Sequence, residues 1–136
     1  MEIQNLRDEI KVFYVKAASF PDGIPEAHQK LRSLLPSAAG RKFFGISHGA
    51  QDGNIIYIAA TEESYPGEAK KYGCETFIIK KGDYLSEALV NWKGNPSKIG
   101  KTFQKMLTDP RIDKNGYCVE KYLNETDVVC MVKLDY

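Results

Sequence analysis

The sequence holds little of what usually announces a chemistry. Its three cysteines, Cys74, Cys118 and Cys130, are odd in number and lack CxxC spacing. Neither a disulfide framework nor a zinc site is therefore expected, and all three read as reduced, structural thiols. The two histidines, His28 and His48, have no partner ligands at metal-binding spacing, so no metal, haem or other cofactor is expected. Ser47 and His48 are neighbours on a strand and point to opposite faces, which excludes them as a hydrolytic pair. Gly45, Gly49 and Gly53 read as turns and strand ends, without the strand-to-helix setting of a phosphate loop.

Long apolar runs are missing as well. Stretches such as Ile55 to Ala60 fall far short of the roughly 20 residues that span a bilayer, and Met1-Glu2-Ile3-Gln4 lacks the basic and apolar regions of a leader. A cytosolic location with no membrane partner is the expectation. Charge of one sign is not in excess either, with 19 Lys and Arg against 18 Asp and Glu spread through the chain. Direct nucleic acid binding, which needs a clustered basic face, is not expected.

What remains is an ordinary globular composition, 43% hydrophobic and 27% charged over 136 residues. One domain over residues 1–136 is expected. Alternation from Ile10 to Phe20 predicts a strand with Phe13, Val15 and Ala17 on one face, ended by the turn signal Phe20-Pro21-Asp22-Gly23. Ile24, Ala27, His28, Leu31, Leu34 and Leu35 recur at helical spacing, with Pro25 in the first turn and Pro36 as the stop. Phe43 to His48 and Ile55 to Ala60 read as a hairpin. The polar stretch Thr61 to Lys71 reads as a connection.

The same order then recurs. Thr76 to Ile79 starts a strand, Lys81-Gly82-Asp83 turns the chain, and Tyr84 to Trp92 is extended. Asn95 is a candidate cap for a helix with Pro96 at its first position and Ile99, Phe103, Met106 and Leu107 as its apolar stripe. Tyr117 to Leu123 and Val128 to Leu134 form the closing hairpin. Two halves, about residues 8–62 and 73–136, thus repeat strand-helix-strand-strand. The expected fold is α+β, a pseudo-two-fold repeat on a mainly antiparallel sheet with two main helices and a central ligand cleft.

Alternation places Cys118, Glu120 and Tyr122 on one face of their strand. A mid-strand carboxylate is either a solvated face residue or a buried acid serving a ligand. If buried, its pKa rises, and a cationic or hydrogen-bond-donating ligand restores the charged form. Tyr57, Trp92 and Tyr122 are ordinary core residues or aromatic walls of such a site.

Several segments resemble the GyrI-like domain, the effector-binding half of AraC-type and multidrug-sensing regulators. They are Ser19-Phe20-Pro21-Asp22-Gly23-Ile24, Phe44-Gly45-Ile46-Ser47, Lys80-Lys81-Gly82-Asp83-Tyr84, Asn91-Trp92-Lys93-Gly94, Gly116 to Asn124 and Val128 to Leu134. The resemblance spans nearly the whole chain through loose motifs kept in order. It implies a tandem of two halves around a cleft, an acid at Glu120 facing cationic, aromatic ligands, Tyr122 on the same face, and Tyr57 and Trp92 at aromatic pocket positions. Lys121 stands where many members carry an aromatic residue.

Regulators of this group carry a helix-turn-helix domain ahead of the effector domain, and these 136 residues leave no room for one. The implied role is therefore binding, sensing or sequestering a small molecule, as an accessory to transcription regulation or beside another protein partner. Two alternatives stand with it. One is hydrolysis of strained electrophilic compounds with Glu120 as general base and Tyr57 or Tyr122 as hydrogen-bond donor. The other is inhibition of a protein target such as DNA gyrase.

Overall fold

The computed structural model describes residues 1–135. Strands β1 (Glu2–Leu6), β2 (Ile10–Lys16), β3 (Phe43–Gly49), β4 (Ile55–Glu62), β5 (Glu75–Ile79), β6 (Gly82–Leu89), β7 (Cys118–Tyr122) and β8 (Val128–Lys133) form one antiparallel sheet in the order β1-β6-β8-β7-β3-β4-β2-β5. Helices α1 (Ile24–Leu34), α2 (Glu68–Lys71) and α3 (Ser97–Met106) complete an α+β fold on a curled, half-barrel sheet. The repeat is visible in the chain order: β2-α1-β3-β4 is followed by β6-α3-β7-β8, and the halves meet where β3 pairs with β7.

Two short links force the curl. β1 and β5 are the outermost strands of the sheet, yet β1 runs into β2 and β5 into β6 across two or three residues, at opposite ends of the strand order. A link that short reaches no more than about 14 Å. The pairings show how it is met: Glu2 to Leu6 lie against Ser86 to Gly82, and Ile10 to Tyr14 continue against Ile79 to Glu75 with a slip of one residue between. Residues 2–14 and 75–86 therefore run as two long, bent strands that draw both ends of the sheet together. The segment Lys81-Gly82-Asp83, expected as a turn, is instead the bend of one of them, with Gly82 at φ 134°.

The curl gives the sheet two different faces. Val12, Phe44, Ile46, Ile58, Ala60, Ile79, Tyr84, Val119 and Met131 pack into one cluster without any helix residue. Leu6 from one edge strand and Phe77 from the other join it, so this is the inside of the curl. The opposite face carries the helices. Ala27, Leu31 and Leu35 pack on Phe13, Phe43 and Ala59, while Phe103 and Met106 pack on Leu85, Leu89, Val128 and Val132. Tyr122 touches both helix clusters and marks the seam between them.

Local chemistry sets the helices. In α1, Pro25 lies in the first turn, Glu26 and Arg32 complement the helix dipole, and Pro36 follows the end. In α3 the first helical residue is Ser97, with Pro96 rather than Asn95 at the cap; the Asn95 side chain instead accepts from the Ser97 hydroxyl. Thr102 takes the buried position expected of Leu107, which is half-exposed. Two elements escape the sequence patterns: β1, whose residues are mostly exposed, and the single turn α2 inside the expected connection.

That turn is anchored by charge. Glu68 is 1% exposed and accepts both guanidinium nitrogens of Arg41, together with the Ser64 backbone N–H. Arg41 holds its carboxyl below the usual 4.5, so this stabilisation is present above that pH and is lost as pH falls through the depressed value. Replacing Arg41 with Met leaves a buried, uncompensated carboxylate and should cost about 3 kcal/mol at pH 7. Urea unfolding should show the gap between wild type and Arg41→Met narrowing as the pH is taken below 4.5; a gap independent of pH would assign the loss to packing alone.

Candidate functional site

Glu120 lies at the seam, on β7, paired across the junction of the two halves with Gly45 of β3 and on its other side with Cys130 of β8. It is 8% exposed. Among the described residues no cationic nitrogen lies within ion-pair distance of it. Its neighbours are phenols. Tyr57 of β4 donates to Oε1 at 2.9 Å, and Tyr122, two residues along β7, donates to the same oxygen. Oε2 has no donor among the described residues and is not sealed from solvent.

This arrangement depends on Gly45. A Cβ there would sit 1.9 Å from the Tyr57 hydroxyl oxygen and 2.6 Å from Glu120 Oε1. Only a residue without a side chain lets the phenol and carboxylate meet against β3. The expectation that Gly45 belongs to a turn or strand end is corrected here: it occupies the third position of the seven-residue β3.

The electrostatics follow from burial. Removing the Glu120 carboxyl from water raises its pKa, an effect partly offset by the hydrogen bonds from Tyr122 and Tyr57, which favour the charged form. Burial and the adjacent carboxylate push both phenols above the usual tyrosine value, so each stays a donor. The flanking thiols are likewise held in their protonated form, Cys118 at about 11 and Cys130 at about 12, chiefly by burial.

His28 is a member of this group that the sequence pattern placed only on the packing stripe of α1. Its Nε2 lies 2.9 Å from the Tyr57 hydroxyl, and its ring meets Tyr57 and Tyr122 edge-on at 5.8 and 5.4 Å. Tyr57 has one proton and gives it to Glu120, so His28 donates to Tyr57 through an Nε2–H. Burial, with the nearby Arg32, lowers its pKa to about 4, and the ring is neutral at physiological pH. A polar residue on an apolar helical stripe was the available signal. Which side chain it faced depended on the fold.

Phe20 and Trp92 complete the ring of aromatics. Phe20, 43% exposed, leans over Tyr57 at 6.2 Å, and Trp92 packs on Tyr122 at 5.8 Å. Trp92 does not end an extended segment, as its sequence setting suggested. It opens a 3-10 turn after Asn91, which adopts φ 55° and ψ 46°. The Asn124-to-Asp127 loop fixes that turn: the Trp92 N–H donates to Thr126 O at 3.0 Å and the Asn91 N–H to the Asp127 carboxylate at 3.2 Å. The structure thus brings Glu120, Tyr57, Tyr122 and Trp92 together. Two open depressions of about 620 and 390 Å³ flank α2, and neither is lined by any of these four residues.

No protein-family model matches the chain, and no curated protein matches its sequence. Solved structures match its fold. An integron cassette protein, VCH_CASS2, from the mobile metagenome of Vibrio cholerae has a TM-score of 0.72 at 10% identity, covering 98% of this chain and 94% of that one. The protein SAV2435, bound to tetraphenylphosphonium, gives a TM-score of 0.68 at 13% identity over 97% and 93% of the two chains. A hydrolase from Listeria innocua gives 0.57 at 12% identity over 98% and 91%. At such identities the likeness is one of fold. What the chain shares with them is the α+β architecture of a curled antiparallel sheet and two main helices.

Proposed function

We propose that this protein binds a small cationic or aromatic molecule at the seam between its halves, with Glu120 as the charge partner and Tyr57, Tyr122 and Trp92 as walls. One observation carries the reading: a buried carboxyl with no cation beside it among the described residues, one oxygen fixed by two phenols and the other without a donor among them. Holding such a group costs the fold several kcal/mol if it ionises. A ligand cation removes that cost, and the surrounding rings add cation-π contact of roughly 0.5 to 2 kcal/mol each. The binding of tetraphenylphosphonium by SAV2435, a protein of the same fold, makes that ion the natural first probe.

A hydrolytic role on the same residues is the second reading. It is favoured by the raised pKa of Glu120, a shift in the direction that a general base needs, and by phenols able to donate to a leaving group. Binding and turnover differ in the fate of the ligand, so mass spectrometry of the recovered compound distinguishes them: an added water marks an enzyme.

Tetraphenylphosphonium should stabilise the wild type in a thermal shift assay and bind Glu120→Gln at least roughly tenfold more weakly, as loss of a charge partner at an effective dielectric of about 20 requires. Affinity for wild type should rise with pH as the carboxyl ionises and level off above its raised value. Equal stabilisation of both proteins would remove Glu120 from the site.

Unliganded stability should run the opposite way. A carboxyl whose folded pKa is raised supplies stability that is present below its ordinary 4.5 and is lost as pH rises through the folded value. Glu120→Gln escapes that loss. Calorimetry should find it increasingly more stable than wild type as pH rises above 4.5, and no less stable at acid pH; a variant less stable throughout would make Glu120 a structural residue.

A further inference from the structure

Trp92 contributes more to the seam than a ring. Its indole Nε1 is buried and, among the described residues, is the only buried side-chain nitrogen or oxygen left without a hydrogen-bond partner. Natural folds rarely leave such a donor empty, because the group gives up its bonds to water and recovers nothing. Nor is its position an accident of a loose side chain. The backbone at residues 91 and 92 is held by two hydrogen bonds to the 124–127 loop and adopts a left-handed conformation at Asn91 to present the ring.

The empty donor has a counterpart. Trp92 packs on the ring of Tyr122, whose hydroxyl binds Glu120, and Glu120 itself keeps Oε2 free of any donor among the described residues. One unfilled donor and one unfilled acceptor therefore flank the same tyrosine. Water can satisfy either alone. Both are filled at once by a molecule with a positive or donating group for the carboxylate and an acceptor oxygen or nitrogen for the indole.

We infer that the Trp92 N–H is a second polar anchor of the site, selecting among cationic aromatic molecules those that also carry a hydrogen-bond acceptor on an aromatic arm. The inference rests on the proposed binding role and adds to it a chemical class: bifunctional ligands, with simple lipophilic cations as weaker stand-ins. Sites built to hydrogen-bond a ligand discriminate against analogues that lack the matching group, because their own buried groups then stay unpaired.

The test compares tetraphenylphosphonium with its derivatives carrying a carboxamide at the meta or para position of one ring. Trp92 is the sole tryptophan, so its indole N–H gives a single assignable NMR signal and its fluorescence reports on this position alone. One carboxamide derivative should bind wild type about fivefold more tightly than the parent ion, move the indole N–H proton downfield as the parent does not, and lose its advantage in Trp92→Phe. The ratio between probes is the readout, because loss of ring contact weakens both alike. Glu120-dependent binding of all probes at equal affinity with an unmoved indole signal would overturn this inference and leave the binding role intact. An indole N–H already hydrogen-bonded to a protein group in the free protein would overturn it as well. No binding of any probe to wild type would remove both.

Discussion

The pairing of residues 2–14 with residues 75–86 is the constraint from which the rest of the structure follows. In each long strand the second part, β2 or β6, belongs to its own half while the first part, β1 or β5, pairs across to the other half, so neither half can complete its sheet alone. β1, which precedes the first half, lies on β6 of the second; β5, which precedes the second, lies on β2 of the first. Closing the curl in this way buries a dense apolar interior and pushes the amphipathic helices to the outer face. It also holds β3 and β7 as central neighbours, where the seam between the helix clusters runs.

The seam concentrates polarity because it is the one line on that face that neither helix owns. α1 covers β2 and β4, α3 covers β6 and β8, and between them Tyr57, Glu120 and Tyr122 meet over Gly45. The two halves are not equivalent there. One offers an acid and the other a glycine in the directly opposed position, so a two-fold framework yields a single carboxylate with room to lie flat. His28, reaching from α1, donates to the Tyr57 hydroxyl, which in turn donates to the carboxylate.

Much of this was legible in the residues. Strand alternation put Glu120 and Tyr122 on one face, helical spacing gave α1 and α3, and the repeated order of elements gave the pseudo-two-fold plan. The misses share a cause. β1 has too little buried surface to show an alternating pattern, α2 is one turn long, and residues 81–83 look like a hairpin turn because a tight turn and a sharp strand bend use the same residues. Gly45 was read as a turn residue since a glycine in a strand declares a close approach only once its neighbour across the sheet is known.

The chain's own chemistry therefore determined the two main helices, most of the strands and the face that their side chains take, because those depend on spacings of two and of three to four residues along one segment. Tertiary structure alone decided that Glu120 is buried, that its two donors come from β4 and from its own strand, that His28 completes the set, and that Trp92 holds an unfilled donor beside them. Those relations join residues far apart in the chain. They are fixed by sheet order and register, which no local spacing encodes.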